Sequence, residues 1–81
     1  MRVRVRLFAR LREIAGRDQW DCEVPAGASV SDVWHRVSND HRALAPFEAV
    51  ISCALNASFA SRQTVVKEGD EVAFLPPVSG G

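Results

Sequence analysis

Val30, Val33, Trp34 and Val37 fall at i, i+3, i+4 and i+7, which places four apolar side chains on one face of an α-helix. This is the strongest helical stripe in the chain. A helix with one apolar face must bury it against another layer. Ser29-Val30-Ser31-Asp32 gives the start: a hydroxyl to accept from the free backbone N–H groups, and an acid near the positive helix end.

The segments around this helix alternate with a period of two. Over residues 2–8, Val3, Val5 and Leu7 share one face while Arg2, Arg4 and Arg6 share the other. Residues 19–24 repeat the pattern, with Trp20, Cys22 and Val24 opposite Gln19, Asp21 and Glu23. Residues 50–55 read as a mostly buried strand inside a sheet. Asn56-Ala57-Ser58 is turn-like and leads to a short segment from Phe59 to Arg62. Glu71 to Leu75 is the last strand, with Val72 and Phe74 inward and Leu75 on the opposite face. Residues 9–15 predict a short helix with Leu11, Ile14 and Ala15 on its apolar side, ended by Gly16. Residues 40–48 read as an irregular connection with Pro46 as a breaker. The expected fold is α+β: one main helix packed across a mixed sheet. The topology most consistent with this order is a β-grasp, with first and last strands paired centrally. Residues 1–81 are expected to form one such domain, with residues 76–81 as an extended tail.

Composition removes several function classes. Ten basic and ten acidic residues cancel, so net charge exerts no general pull toward nucleic acid or membrane. The arginines at 2, 4 and 6 follow the pleat and read as a solvated face. No apolar run approaches the length of a membrane span, and the opening residues lack the apolar stretch of a signal peptide. A cytoplasmic location is expected. Cys22 and Cys53 lie far apart, in no metal-ligand spacing, and read as reduced thiols. His35 and His41 read as ordinary boundary residues. No bound cofactor or metal is expected.

The tail carries the chemistry. Pro76 and Pro77 cannot donate to a strand ladder and favour an extended course. Val78, Ser79, Gly80 and Gly81 follow, with a reach of at most about 13–14 Å. Without side chains, Gly80 and Gly81 can thread a narrow channel and bring backbone close to a catalytic centre. A carboxylate on Gly81 is a poor acyl donor, but an adenylating partner could activate it. Sulfur could then displace AMP and leave a thiocarboxylate.

Residues 69–81, Gly-Asp-Glu-Val-Ala-Phe-Leu-Pro-Pro-Val-Ser-Gly-Gly, closely resemble the end of the molybdopterin synthase small subunit family, which are ubiquitin-like sulfur carriers. Residues 5–13, Val-Arg-Leu-Phe-Ala-Arg-Leu-Arg-Glu, resemble that family's first strand and short helix. The resemblance implies a β-grasp and a non-catalytic carrier. It implies that Gly81 is adenylated by a ubiquitin-activating-type adenylyltransferase, which uses ATP and magnesium, and that a sulfur donor system then loads it. It implies a heterotetramer with a dimer of the molybdopterin synthase large subunit, into whose active site Pro76, Pro77, Val78, Ser79, Gly80 and Gly81 insert. There the thiocarboxylate would give sulfur to cyclic pyranopterin monophosphate in molybdenum cofactor biosynthesis. Apolar docking residues of the family match Leu7, Phe59 and Leu75 here. The family often carries aromatic residues at the first and third positions and an aliphatic one at the second.

Other readings of the same tail stay open. A carrier could serve thiazole or cysteine biosynthesis. A ubiquitin-like protein modifier would join Gly81 to target lysines. A plain interaction module would leave the tail unused.

Overall fold

The computed structural model describes residues 1–77. In chain order it contains strand β1 (Arg2–Leu7), helix α1 (Ala9–Ala15), strand β2 (Gln19–Glu23), helix α2 (Val30–Asp40) and a 3-10 helix (Arg42–Phe47). Strands β3 (Ser52–Leu55), β4 (Ser58–Phe59) and β5 (Glu71–Leu75) follow. The five strands form one sheet in the order β2-β1-β5-β3-β4. β1 and β5 run parallel, and the other pairs are antiparallel. The expected central pairing of first and last strands is therefore present. A mixed sheet with one main helix across it is the β-grasp arrangement.

The pleat divides the sheet. Val3, Val5 and Leu7 of β1 meet Val72 and Phe74 of β5 on the covered face, all of them buried. Val30, Val33, Trp34 and Val37 of α2 are buried in the same core, so the helical stripe is covered as its spacing predicts. Trp34 packs on Phe74 with ring centroids 5.1 Å apart at 60°. A tilted aromatic pair of this kind adds about 0.5–1.5 kcal/mol beyond its burial. Phe74 belongs to the strand from which the tail leaves, so α2 anchors the tail's base.

α2 begins with a full capping box. Ser29 Oγ accepts from Asp32 N at 3.2 Å, and Asp32 Oδ2 accepts from Ser29 N at 2.9 Å. Such a cap contributes about 1 kcal/mol. α1 ends at Gly16, whose φ of 75° is the left-handed conformation that glycine adopts without a steric cost.

Two segments differ from the sequence expectation. Residues 42–47 are not irregular: they form a 3-10 helix with Pro46 inside it. Proline's fixed φ suits a 3-10 turn, and its missing N–H removes only one bond. Fully buried Leu44 holds the segment to the core. The third strand begins at Ser52 rather than Val50. The amides of Val50 and Ile51 both donate to Phe47 O, at 3.0 and 3.1 Å, and Val50 is left 49% exposed.

Candidate functional site

On the uncovered face of the sheet, neighbouring strands bring distant residues into one row. Arg6 pairs with Ala73, Ala73 with Ala54, and Ala54 with Phe59. Leu75 pairs with Ser52 in the next row. Small side chains at the centre and large ones at the sides make a groove of about 210 Å³, lined by Phe8, Ala54, Ala57, Phe59, Ala73 and Leu75. Arg6 and Glu71 close its charged border, 3.6 Å apart. The Arg6 guanidinium also lies 4.8 Å from the Phe8 ring centroid.

Phe59 is 83% exposed. An aromatic ring left in water on a two-residue edge strand forgoes most of the burial that makes phenylalanine stabilising. Exposed apolar clusters with a polar border are the usual signature of a docking surface. Leu75, half-buried, borders the same groove at the root of the tail. Pro76 is half-buried and Pro77 exposed. Val78, Ser79, Gly80 and Gly81 lie outside the described residues.

The expectation for Leu7 needs correction. Leu7 is 2% exposed and lies in the core with Val3 and Val5. The pleat points it under α2, so it cannot meet a partner in this fold. Its neighbour Phe8 occupies the open face instead, and its amide donates to Phe74 O at 3.3 Å. Phe59 and Leu75 are thus brought together; Leu7 is not among them. Phe8, Ala54, Ala57 and Ala73 were not singled out from the sequence. Phe8 had a signal, since it is apolar and out of phase with Leu7.

A hydrogen-bonded clamp fixes the groove's far end. Asn56 Nδ2 donates to Asp70 Oδ1 at 3.0 Å, Glu71 N donates to Asn56 Oδ1 at 2.9 Å, and Lys67 N donates to Asp70 Oδ2 at 2.7 Å. The Asn56 bond, followed by the Lys67 amide, holds the Asp70 carboxyl below its ordinary value of 3.8. A carboxyl whose folded value is depressed stabilises the fold above its unfolded value, and that contribution is lost as pH falls through the folded one. Asp70→Asn is therefore expected to lower the unfolding temperature at neutral pH. The deficit relative to the parent should shrink from about pH 4 downward. Thermal unfolding of both chains across that range checks this, and a constant deficit counts against the clamp.

The remaining candidates are accounted for elsewhere. Arg2 pairs with Glu23 at 3.8 Å and Arg4 with Asp21 at 3.4 Å, so with Arg6–Glu71 the arginine row is neutralised across strands. These are half-exposed pairs, worth about 0–1 kcal/mol each. Burial pushes the thiols of Cys22 and Cys53 above their ordinary value, which suppresses the reactive thiolate. His35 is exposed and sits 3.4 Å from Glu48. His41 packs edge-on to Trp20. Among the described residues no group of three or more His, Cys, Asp and Glu side chains could hold a metal, and no helix is long and apolar enough to cross a membrane.

The ThiS family profile matches residues 5–81. The chain belongs to the ThiS family. Within reach of this ThiS chain are the molybdopterin synthase sulfur carrier subunit of Chlamydomonas reinhardtii, 36% identical over 83 residues that cover all of both chains, and its namesake from Escherichia coli strain K12, 34% identical over 98% of this chain and 99% of the relative. Among solved structures, SAMP1 from Haloferax volcanii superposes with a TM-score of 0.87 at 31% identity, covering all of both chains. The β-grasp of this ThiS chain is thus shared by a small archaeal modifier protein and by a putative molybdopterin converting factor subunit 1 from Pyrococcus furiosus, which superposes with a TM-score of 0.85 at 30% identity over 96% of this chain and 99% of that one.

Proposed function

We propose that this chain is the sulfur carrier subunit of a molybdopterin synthase. The Gly81 carboxylate attacks the α-phosphate of ATP on an adenylating partner, which releases pyrophosphate and leaves an acyl-adenylate. A sulfide equivalent from a donor system then displaces AMP and leaves a thiocarboxylate. On the large subunit, that sulfur passes to cyclic pyranopterin monophosphate. The carrier supplies the acyl end and the docking surface. ATP, magnesium and the catalytic groups belong to its partners.

The observation that carries this reading is the groove at the root of the tail. Residues 78–81 reach at most about 13–14 Å from Pro77. A partner that takes up Gly81 must therefore lie close against the sheet end where Leu75 borders exposed Phe59. The full-length match to relatives named as carrier subunits supports the choice of pathway. Cys22 and Cys53 are both buried in the core, out of a partner's reach, which supports a carrier that holds sulfur on its terminus rather than on a side chain.

The likeness to SAMP1 supports a second reading, in which Gly81 forms an isopeptide bond with target lysines. Intact-mass analysis after co-expression with a competent activating enzyme and a sulfur donor separates the two. The expected result is a gain equal to replacement of one oxygen by sulfur, localised to the C-terminal peptide. Lysine-linked adducts in place of that gain select the modifier reading. An unchanged mass rejects both.

A further inference from the structure

The hairpin between β3 and β4 departs from the most favourable turn chemistry at one residue. Its two central residues, Asn56 and Ala57, have φ of 49° and 72°. A two-residue loop with both centres left-handed is the type I′ turn, which favours Asn-Gly. Asparagine tolerates that conformation, but a residue with an ordinary Cβ is strained in it. Here alanine stands where glycine would relax the backbone. The same Ala57 is exposed and lines the groove beside Phe59 and Leu75.

We infer that Ala57 is a contact residue of the docking groove, kept left-handed at a cost in stability because its methyl group helps form the surface that the partner covers. The inference rests on the docking role proposed above. The occupant is the large subunit of the proposed synthase, which takes up residues 78–81 for sulfur transfer and so must lie against the groove at the root of the tail. That subunit must present an apolar ridge to the alanines and groups complementary to Arg6 and Glu71.

The surrounding structure is built to hold the strain. Asn56 N donates to Glu71 O at 2.8 Å, Glu71 N returns a bond to Asn56 Oδ1, and Asp70 accepts from Asn56 Nδ2. Three bonds to the entry of β5 fix the turn, and Ala54↔Phe59 pairing fixes the residues beyond it. Strained residues persist where their surroundings over-determine them, and they cluster at functional surfaces.

Ala57→Gly separates a contact role from a merely structural one, because the two effects have opposite signs. Relief of the left-handed alanine is expected to raise the unfolding temperature by about 4 °C. Loss of one buried methyl and of turn rigidity is expected to weaken binding to the large subunit at least about fourfold. Thermal unfolding and titration calorimetry measure the two. Unchanged or tighter binding overturns the inference, and so does a lowered unfolding temperature. Leu75→Glu, titrated alongside, tells the two failures apart. If it binds normally, the docking role itself fails. If it binds weakly while Ala57→Gly binds as the parent does, only the role of Ala57 is lost.

Discussion

A chain lacking Gly81 is expected to unfold at the parent's temperature and to transfer essentially no sulfur. The two halves of that result have separate causes. Among the described residues the core runs from Val3 to Phe74, and strand β5 ends at Leu75. Removing a residue beyond them takes away none of the described core contacts. Transfer depends on the position of one carbonyl carbon. Deleting one residue withdraws the acyl end by about 3.3–3.6 Å, while a misplacement of about 1 Å can cost a reacting centre 10²-fold. Gly80 would still offer a carboxylate, so the loss comes from distance rather than from missing chemistry. Adding one alanine after Gly81 should fail for the complementary reason: the carboxylate lies one residue too far, behind a side chain. Reconstituted sulfur transfer, read beside thermal unfolding, checks both chains. Retained transfer by a chain whose extension is shown intact by mass would remove Gly81 from the mechanism.

Regular elements were legible in the sequence because each has a periodicity of its own. The stripe of Val30, Val33, Trp34 and Val37 and the alternation of Val3, Val5 and Leu7 both appear in the structure as the covered side of their elements. Ser29 and Asp32 gave the helix start by their chemistry. The docking groove was only half legible. Phe59 and Leu75 could be named from family positions, and the pleat phase placed Leu75 on the open face. The same carry-over placed Leu7 at an interface, although its alternation with Val3 and Val5 put it in the core. The groove floor had no signature at all. Ala54 and Ala73 become neighbours only through the pairing of β3 with β5, and alanine contributes too little hydropathy to mark a surface. The 3-10 helix has no such signature, because Pro46 signals a break in an α-helix while its fixed φ fits the tighter helix.

Leu75→Glu is expected to leave the carrier folded and to weaken binding to the large subunit by about 30-fold or more. Leu75 is half-buried on the uncovered face, opposite the phase of Phe74, so a carboxylate there remains hydrated in the free chain. In the complex it would lie under the partner, beside Phe59 and the small side chains of the groove. Desolvating an unpaired carboxylate costs several kcal/mol, and about 2 kcal/mol is enough for the stated loss. Calorimetric titration of both variants Leu75→Glu and Leu75→Lys distinguishes burial from charge matching. Equal weakening by the two signs means that the site is apolar and closed. Weakening by glutamate alone means that an acidic group of the partner approaches the groove, which would place that group near Arg6 rather than Glu71. Unchanged affinity for both variants would detach the groove from docking and leave the tail as the sole point of engagement. The four residues beyond Pro77 would then have to hold the complex without support from the sheet.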